Sequence, residues 1–192
     1  MIEMNLVSEA EVSVSYELNL LILGAGVHGQ DVKEVAESLR IFKKIRFLDD
    51  KVENEEVIGK CKDANTFINE FACAFVALGD NRKRKKMTKF LEECGFRMPS
   101  LISPGANVSP KAEIGYGVAV LPGSTINESR IGNYVILEPN SFVGRNAVLG
   151  DYSRLDCGAI LPKNSKAKES TWLKNGEIFK IKLDEEKKDV QE

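Results

Sequence analysis

The stretch IGNYVILEPNSFVGRNAVL, residues 131–149, decides the fold. Ile131, Leu137, Val143 and Leu149 recur at intervals of six. Neither a helix, with a period of 3.6, nor a half-buried strand, with a period of two, produces that spacing. Downstream the series runs on through Leu155 and Leu161. Upstream one residue is missing, and then Ile126, Val120, Ile114, Val108 and Ile102 continue it. Turn formers fill the gaps, as in Ser103-Pro104-Gly105, Gly115-Tyr116-Gly117, Leu121-Pro122-Gly123, Gly132-Asn133 and Gly150-Asp151. A six-residue repeat is a signature of a parallel β-helix. Each unit forms one face of a triangular coil and turns its aliphatic residue inward. Stacked coils bury that residue and hydrogen-bond through their backbones. Gly and Asn accept the left-handed backbone angles of the corners. The eleven positions predict a left-handed parallel β-helix over residues 100–170, with fewer than four coils. Residues 171–192 then divide into a cap and a charged tail. Trp172, Leu173, Ile178 and Phe179 suggest a final strand or hairpin over the open end, and Leu183 onward reads as a solvated tail.

The chain before the repeats has a different texture. Leu20–Leu23 is a short apolar run closed by Gly24-Ala25-Gly26-Val27-His28-Gly29. Val32, Val35, Ala36 and Leu39 follow at helical spacing. Lys44–Leu48 predicts a second strand closed by Asp49-Asp50, and residues 64–70 a short helix. Cys73–Leu78 predicts a third strand ending in Gly79-Asp80-Asn81. Residues 82–94 form a basic helix with Met87, Phe90 and Leu91 as its buried stripe and Gly95 just past its end. Alternating strands and helices predict a small parallel sheet with helices on its faces, a half-Rossmann α/β domain over residues 20–99. Residues 1–19 are a leader or an added edge strand, because Val12, Val14 and Tyr16 alternate with polar residues.

Composition narrows the partners. The net charge is −2, with 43% hydrophobic and 29% charged residues, so nucleic acid and anionic membrane surfaces are not expected partners. No apolar run reaches the roughly 20 residues of a membrane helix. The first 19 residues contain no Lys or Arg, unlike a signal peptide. Cys61, Cys73, Cys94 and Cys157 form no C-x-x-C pair, which argues for reduced thiols in a cytoplasmic protein and against a zinc site.

Gly24-x-Gly26-x-x-Gly29 follows a strand and opens a helix, and Asp49 and Asp50 close the next strand. This matches the dinucleotide fingerprint. Gly24 permits the turn, Gly26 admits a phosphate to the backbone, and Gly29 lets helix and strand pack. The helix N-terminus supplies amide donors. NAD is not expected, because the domain has room for only half of a dinucleotide fold; a different nucleotide diphosphate fits better, and a turn serving packing alone is the competing reading. His28 is the sole histidine. It either shapes the loop or donates to a phosphate or sugar, and its place in a binding element argues against a catalytic base. Of Arg82-Lys83-Arg84-Lys85-Lys86, a solvated helix face by pattern, Arg82 lies nearest the strand-end edge where ligands bind.

These motifs, with Val57-Ile58-Gly59-Lys60 and the hexapeptides, resemble sugar O- and N-acetyltransferases of the sialic-acid O-acetyltransferase type, relatives of enzymes that acetylate nucleotide-linked amino sugars. The resemblance runs from about Leu20 to Leu161. It implies a UDP-sugar held by Gly24, Ala25, Gly26, His28, Gly29, Asp49, Asp50, Gly79 and Asn81, with Arg82 beside them. It implies acetyl-CoA along the coils as co-substrate, no metal, and a homotrimer with active sites between subunits. It also implies a β-helix histidine as general base. Here Arg145 stands at that position and Asn146 at the following Asp. A guanidinium does not give up its proton in proteins. Glu138 and Asp156, both in the coils, are the carboxylates that could serve instead. The alternative is a catalytically inactive relative, serving as a sugar-nucleotide-binding or trimeric scaffold protein.

Overall fold

The computed structural model describes residues 18–180. The strand reading of Val12, Val14 and Tyr16 and the charged tail from Leu183 lie outside the described residues. The N-terminal part runs β1 (Leu18–Leu23), α1 (Val27–Ser38), β2 (Phe42–Leu48), β3 (Val57–Gly59), a 3₁₀ turn (Cys61–Phe67), β4 (Cys73–Val76) and α2 (Asn81–Glu93). The strands form one parallel sheet in the order β3-β2-β1-β4. Leu20, Leu21, Ile22 and Leu23 are all fully buried, as expected of a parallel strand covered on both faces. β3 was not predicted, because three residues are too few to show a period. The predicted helix at 64–70 is instead the 3₁₀ turn. At the end of α2, Gly95 has φ +89°. Its N–H bonds Glu92 O at 2.9 Å, and the N–H of Phe96 bonds Leu91 O at 3.1 Å, a Schellman closure that only an unhindered residue accepts readily.

The coil follows as two-residue strands: β5 (Leu101–Ile102), β6 (Asn107–Val108), β7 (Glu113–Ile114), β8 (Ala119–Val120), β9 (Thr125–Ile126), β10 (Arg130–Ile131), β11 (Ile136–Leu137), β12 (Phe142–Val143), β13 (Val148–Leu149), β14 (Arg154–Leu155), β15 (Ile160–Leu161), β16 (Lys166–Ala167) and β17 (Trp172–Leu173). Every predicted aliphatic position is the second residue of a strand. The strands stack as three parallel sheets of five, four and four, the faces of a left-handed β-helix. Val120, Leu137, Val143, Leu149, Leu155 and Leu161 are fully buried along its axis, each contributing roughly 1.5–3 kcal/mol. The missing residue between Ile126 and Ile131 is absorbed at a corner, where Ser129 Oγ donates to Asn127 O at 2.9 Å. β9 and β10 keep their places in their sheets.

The coil is longer than the sequence pattern indicates. β16 and β17 extend it past four coils, and Ile178 bridges Ile160 in parallel. Trp172 and Leu173 therefore form a further rung and not a capping hairpin. The six-residue phase persists at Ala167, Leu173 and Phe179, but an alanine in the first of these hid it.

Several corners carry the residues the physics asks for, among them Gly117, Gly123, Asn140, Asn146 and Asn164 at positive φ. Tyr134 (φ 57°) and Tyr152 (φ 56°) do so against preference, a strain of about 1–3 kcal/mol each. Their rings stack at 5.0 Å, and the Tyr134 hydroxyl bonds Glu92 of α2. Packing between helix and coil offsets the strain.

The two parts share a core. Leu101, Ala119 and Leu121, on the outer face of the five-stranded sheet, belong to one apolar cluster with Val32, Val35 and Ala36 of α1. Arg84 pins the same boundary. Within the predicted solvated basic face it is 2% exposed, and it donates to Tyr134 O (3.1 Å), Leu78 O (2.8 Å) and Tyr152 O (2.6 Å). Burial, with the charge of Arg154, brings its guanidinium down to about 10, still protonated at neutral pH. Arg84, Thr88 and Leu91 are the buried residues of α2, while Met87 and Phe90 pack partly buried beside them.

Candidate functional site

The carboxyl ends of β1, β2 and β4 converge on the Gly-rich turn. Its three glycines have separate reasons. Gly24 has φ +107°, and an added Cβ would lie 2.8 Å from Ala77 O. At Gly29 a Cβ would fall 2.0 Å from Gly24 O. Both are demanded by the fold. Gly26 is not: nothing lies within 4 Å of a Cβ there, and its φ of −73° suits any residue. It caps α1 without a side-chain hydrogen bond. The first amides of the helix thus have no capping side chain, the arrangement in which a helix end can take an anion.

Asp49 works on the loop. Oδ2 accepts the Ala25 N–H at 2.8 Å, and Oδ1 accepts those of Lys51 and Val52 at 2.7 and 2.9 Å. Burial would raise this carboxyl, but the three amides hold it below the ordinary range. Asp50 Oδ1 accepts the Cys61 N–H at 3.0 Å. Both aspartates bracket a crevice of about 410 Å³ that continues to Leu78 and to Lys83 and Lys86 of α2. Arg82, the predicted cation, is exposed and does not line it; two lysines of the same helix do. Asn81 Nδ2 donates to Ser170 O at 3.0 Å, and its Oδ1 accepts from Arg84 at 2.9 Å, so Asn81 ties the strand end to the coil.

His28, the second helical residue of α1, leans the other way, onto the coil. Its Nδ1 lies 3.1 Å from Glu138 Oε1, with the two side chains 11% and 6% exposed. The N–H is not aligned on that oxygen, and neither ring nitrogen has a formed hydrogen bond. The same Glu138 oxygen takes Arg154 Nη2 at 3.1 Å. Arg154 Nε reaches Asp156 Oδ1 at 2.5 Å, and Trp172 Nε1 donates to Asp156 Oδ2 at 2.9 Å. Gly79 is the floor beneath this network, since a Cβ there would fall 2.1 Å from Arg154 Nη1. Burial alone would raise the Glu138 carboxyl; His28, then Arg154 and Arg84, outweigh it and hold it below the usual range. Asp31, one turn along α1, is pushed up by burial and by Glu138. It borders a cavity of about 480 Å³ between α1 and the corners at Ser103-Pro104-Gly105 and Leu121-Pro122.

The structure thus joins residues the sequence keeps apart: the sole histidine of the Gly-rich turn and the two candidate carboxylates of the coil. Arg145 stands outside this network; it is exposed and pairs with Glu128. Arg154 carries no signal in the sequence, because an outward position in a repeat is open to any side chain, and Asp31 reads as one more polar residue of α1. Arg84 could have been found, since it lies four and seven residues before Thr88 and Leu91. The ligating atoms of His28, Asp31 and Glu138 fall within 4.8 Å of one another. Arg154 already neutralises Glu138 and would repel a cation there, so the set does not suit a metal.

A small parallel α/β sheet is thus seated on a left-handed β-helix, with the start of α1 between them. Residues 19–91 match the family described as the PglD N-terminal domain. Among solved structures, the chain is 26% identical to the acetyltransferase domain of PglB from Neisseria gonorrhoeae FA1090, covering 87% of this chain and 93% of that one with a TM-score of 0.75. It is 25% identical to a histidine-to-alanine variant of GDP-perosamine N-acetyltransferase from Caulobacter crescentus, solved with CoA and GDP-perosamine, covering 84% and 88% with a TM-score of 0.74. WeeI from Acinetobacter baumannii AYE, 21% identical over 85% and 81% with a TM-score of 0.76, shares the fold. Over most of its length the chain is similar to nucleotide-sugar N-acetyltransferases of the hexapeptide-repeat type. None of the described helices is long and apolar enough to cross a membrane.

Proposed function

We propose that this chain binds a nucleotide-activated sugar at the carboxyl edge of its sheet and transfers to it the acetyl group of acetyl-CoA. The observation that carries the reading is Gly26. Its missing side chain serves no contact within the protein, yet it sits where a diphosphate would meet the α1 amides. Lys83 and Lys86 add positive charge across the crevice, and the buried His28–Glu138 contact begins where the nucleotide would end. The two acetyltransferases at 25–26% identity support the acyl donor. The reading needs neither a metal nor NAD, and it suits the cytoplasm, where such donors are made.

A homotrimer belongs to the same reading. Phe142 and Ile160 follow one another outward on the four-stranded sheet of β6, β9, β12 and β15, and Ile178 bridges Ile160 on the next rung. Phe142 is 37% and Ile178 55% exposed. The stripe would be covered by a second copy of the coil.

Arg145 favours a second reading, a sugar-nucleotide-binding scaffold without chemistry. Thermal melting with GDP-perosamine, UDP-linked amino sugars and acetyl-CoA, followed by an assay for released thiol, separates the two. A ligand at 100 times its Kd stabilises the folded state by about 2.7 kcal/mol. Shifts with sugar nucleotide and acetyl-CoA together with thiol release support the transferase. A shift with sugar nucleotide alone sinks it in favour of the scaffold, and no shift with any nucleotide sugar removes both readings.

A further inference from the structure

We infer that His28, presented by the Gly-rich turn and oriented by Glu138 of the coil, is the general base of acyl transfer. The inference rests on the transferase reading above.

Acyl transfer from a thioester needs a group that takes a proton from the attacking amine or hydroxyl. Arg145 cannot do so. Glu138 is a poor choice, because its charge is tied up by Arg154 and by the approach of His28. Asp156 is bound on both oxygens, by Arg154 and by Trp172. His28 remains. A carboxylate beside one ring nitrogen, with the other nitrogen free of partners, is the arrangement of an oriented imidazole base. Glu138 Oε1 lies 3.1 Å from Nδ1, close enough to steady a charged ring, though neither buried ring nitrogen has a formed hydrogen bond among the described residues. A buried nitrogen without a partner calls for an explanation; a substrate N–H or O–H would supply the missing contact. Space beside the turn is open at Gly26, two residues before His28, and a diphosphate seated there would hold its sugar on the same turn as the ring.

The step balances without a further reactant. The neutral acceptor nitrogen attacks the thioester carbonyl carbon, forming the N–C bond. Its proton passes to His28 Nε2, the C–S bond breaks, and the thiolate leaves. The imidazolium, steadied by Glu138, then returns the proton to sulfur. The groups around the ring are Asp31 on α1, and Glu138 and Arg154 on the coil, with Arg84 beyond them. Glu138 is a positioning residue.

The test compares wild type, His28→Gln and Glu138→Gln with acetyl-CoA and whichever of GDP-perosamine or a UDP-linked amino sugar gives turnover. His28→Gln should lower kcat about 10²–10⁴-fold, the usual worth of a positioned base. KM and the melting shift with nucleotide sugar should stay near wild type, and the acid limb of the pH–rate profile should disappear. Glu138→Gln, which keeps an acceptor for Nδ1–H, should lower kcat less and move that limb. A His28→Gln protein that keeps kcat and loses only KM overturns the base and leaves the transferase reading standing. Wild type that binds the nucleotide sugar but never turns over overturns that reading and this inference with it.

Discussion

Arg84 Nη2 lies 2.6 Å from the carbonyl oxygen of Tyr152, across the boundary between the α/β domain and the coil. The tyrosine is held at a left-handed corner, and the arginine satisfies that corner's backbone from the opposite domain. The same guanidinium reaches Tyr134 O one coil away and Leu78 O at the strand end. This side chain therefore ties the sheet edge to two successive coils, at the boundary where His28 meets Glu138.

Removing that side chain should be costly. Arg84→Ala leaves several buried carbonyls without donors, at about 1–3 kcal/mol for each one water cannot reach. A loss of roughly 3 kcal/mol or more is expected in urea unfolding followed by fluorescence of Trp172, the single tryptophan. Arg82→Ala, on an exposed residue of the same helix, should change stability by less than about 0.5 kcal/mol.

The glycines of the turn should separate structure from binding. Gly26→Ala adds a Cβ to open space and should leave the melting temperature nearly unchanged while weakening nucleotide-sugar binding. Gly29→Ala places the Cβ 2.0 Å from Gly24 O and should destabilise the fold itself. Thermal melting with and without the nucleotide sugar reads both. Wild-type affinity in Gly26→Ala would argue against phosphate docking at the turn.

Acid should weaken the protein in a defined window. Glu138 and Asp49 are both held below their ordinary values in the folded state. Their stabilisation is complete above the unfolded values of about 4.3 and 3.9 and is lost as pH falls through the lower folded ones. Asp31 acts oppositely: its carboxyl is raised, so its penalty is relieved as pH falls through that raised value. Urea midpoints between pH 6 and 3 should drop at the acid end, and Glu138→Gln should flatten part of that drop.

The coil axis should tolerate neither cavities nor polarity. Leu155→Ala should cost about 2–5 kcal/mol, and Val143→Thr, which buries a hydroxyl in nearly the same volume, about 1–3 kcal/mol. A neutral effect of both would contradict their burial on the axis.

The outward stripe should govern assembly. Phe142→Glu together with Ile160→Glu should yield a folded monomer by sedimentation. If wild type is itself monomeric at micromolar concentration, the proposed trimer is wrong.

The sequence by itself determined the coil, because its register depends on a local rule repeated many times: every sixth residue must be apolar for each rung to bury one side chain. That rule placed Ile102 through Leu161 correctly, and it failed at Ala167 only because a small residue meets the axis without announcing it. The Gly24–Gly29 turn was legible for a similar reason, since tight backbone geometry restricts residue type locally. What joins the two parts was not legible. His28 and Glu138 lie 110 positions apart in the chain, Arg84 reads as one more charge in a basic run, and Arg154 occupies an outward position open to any side chain. Their roles depend on which face of the coil the α/β domain covers, and that is settled by long-range packing of Leu101, Ala119 and Leu121 against α1. Only the tertiary structure decided that the one histidine of the chain would be buried against a carboxylate of the coil.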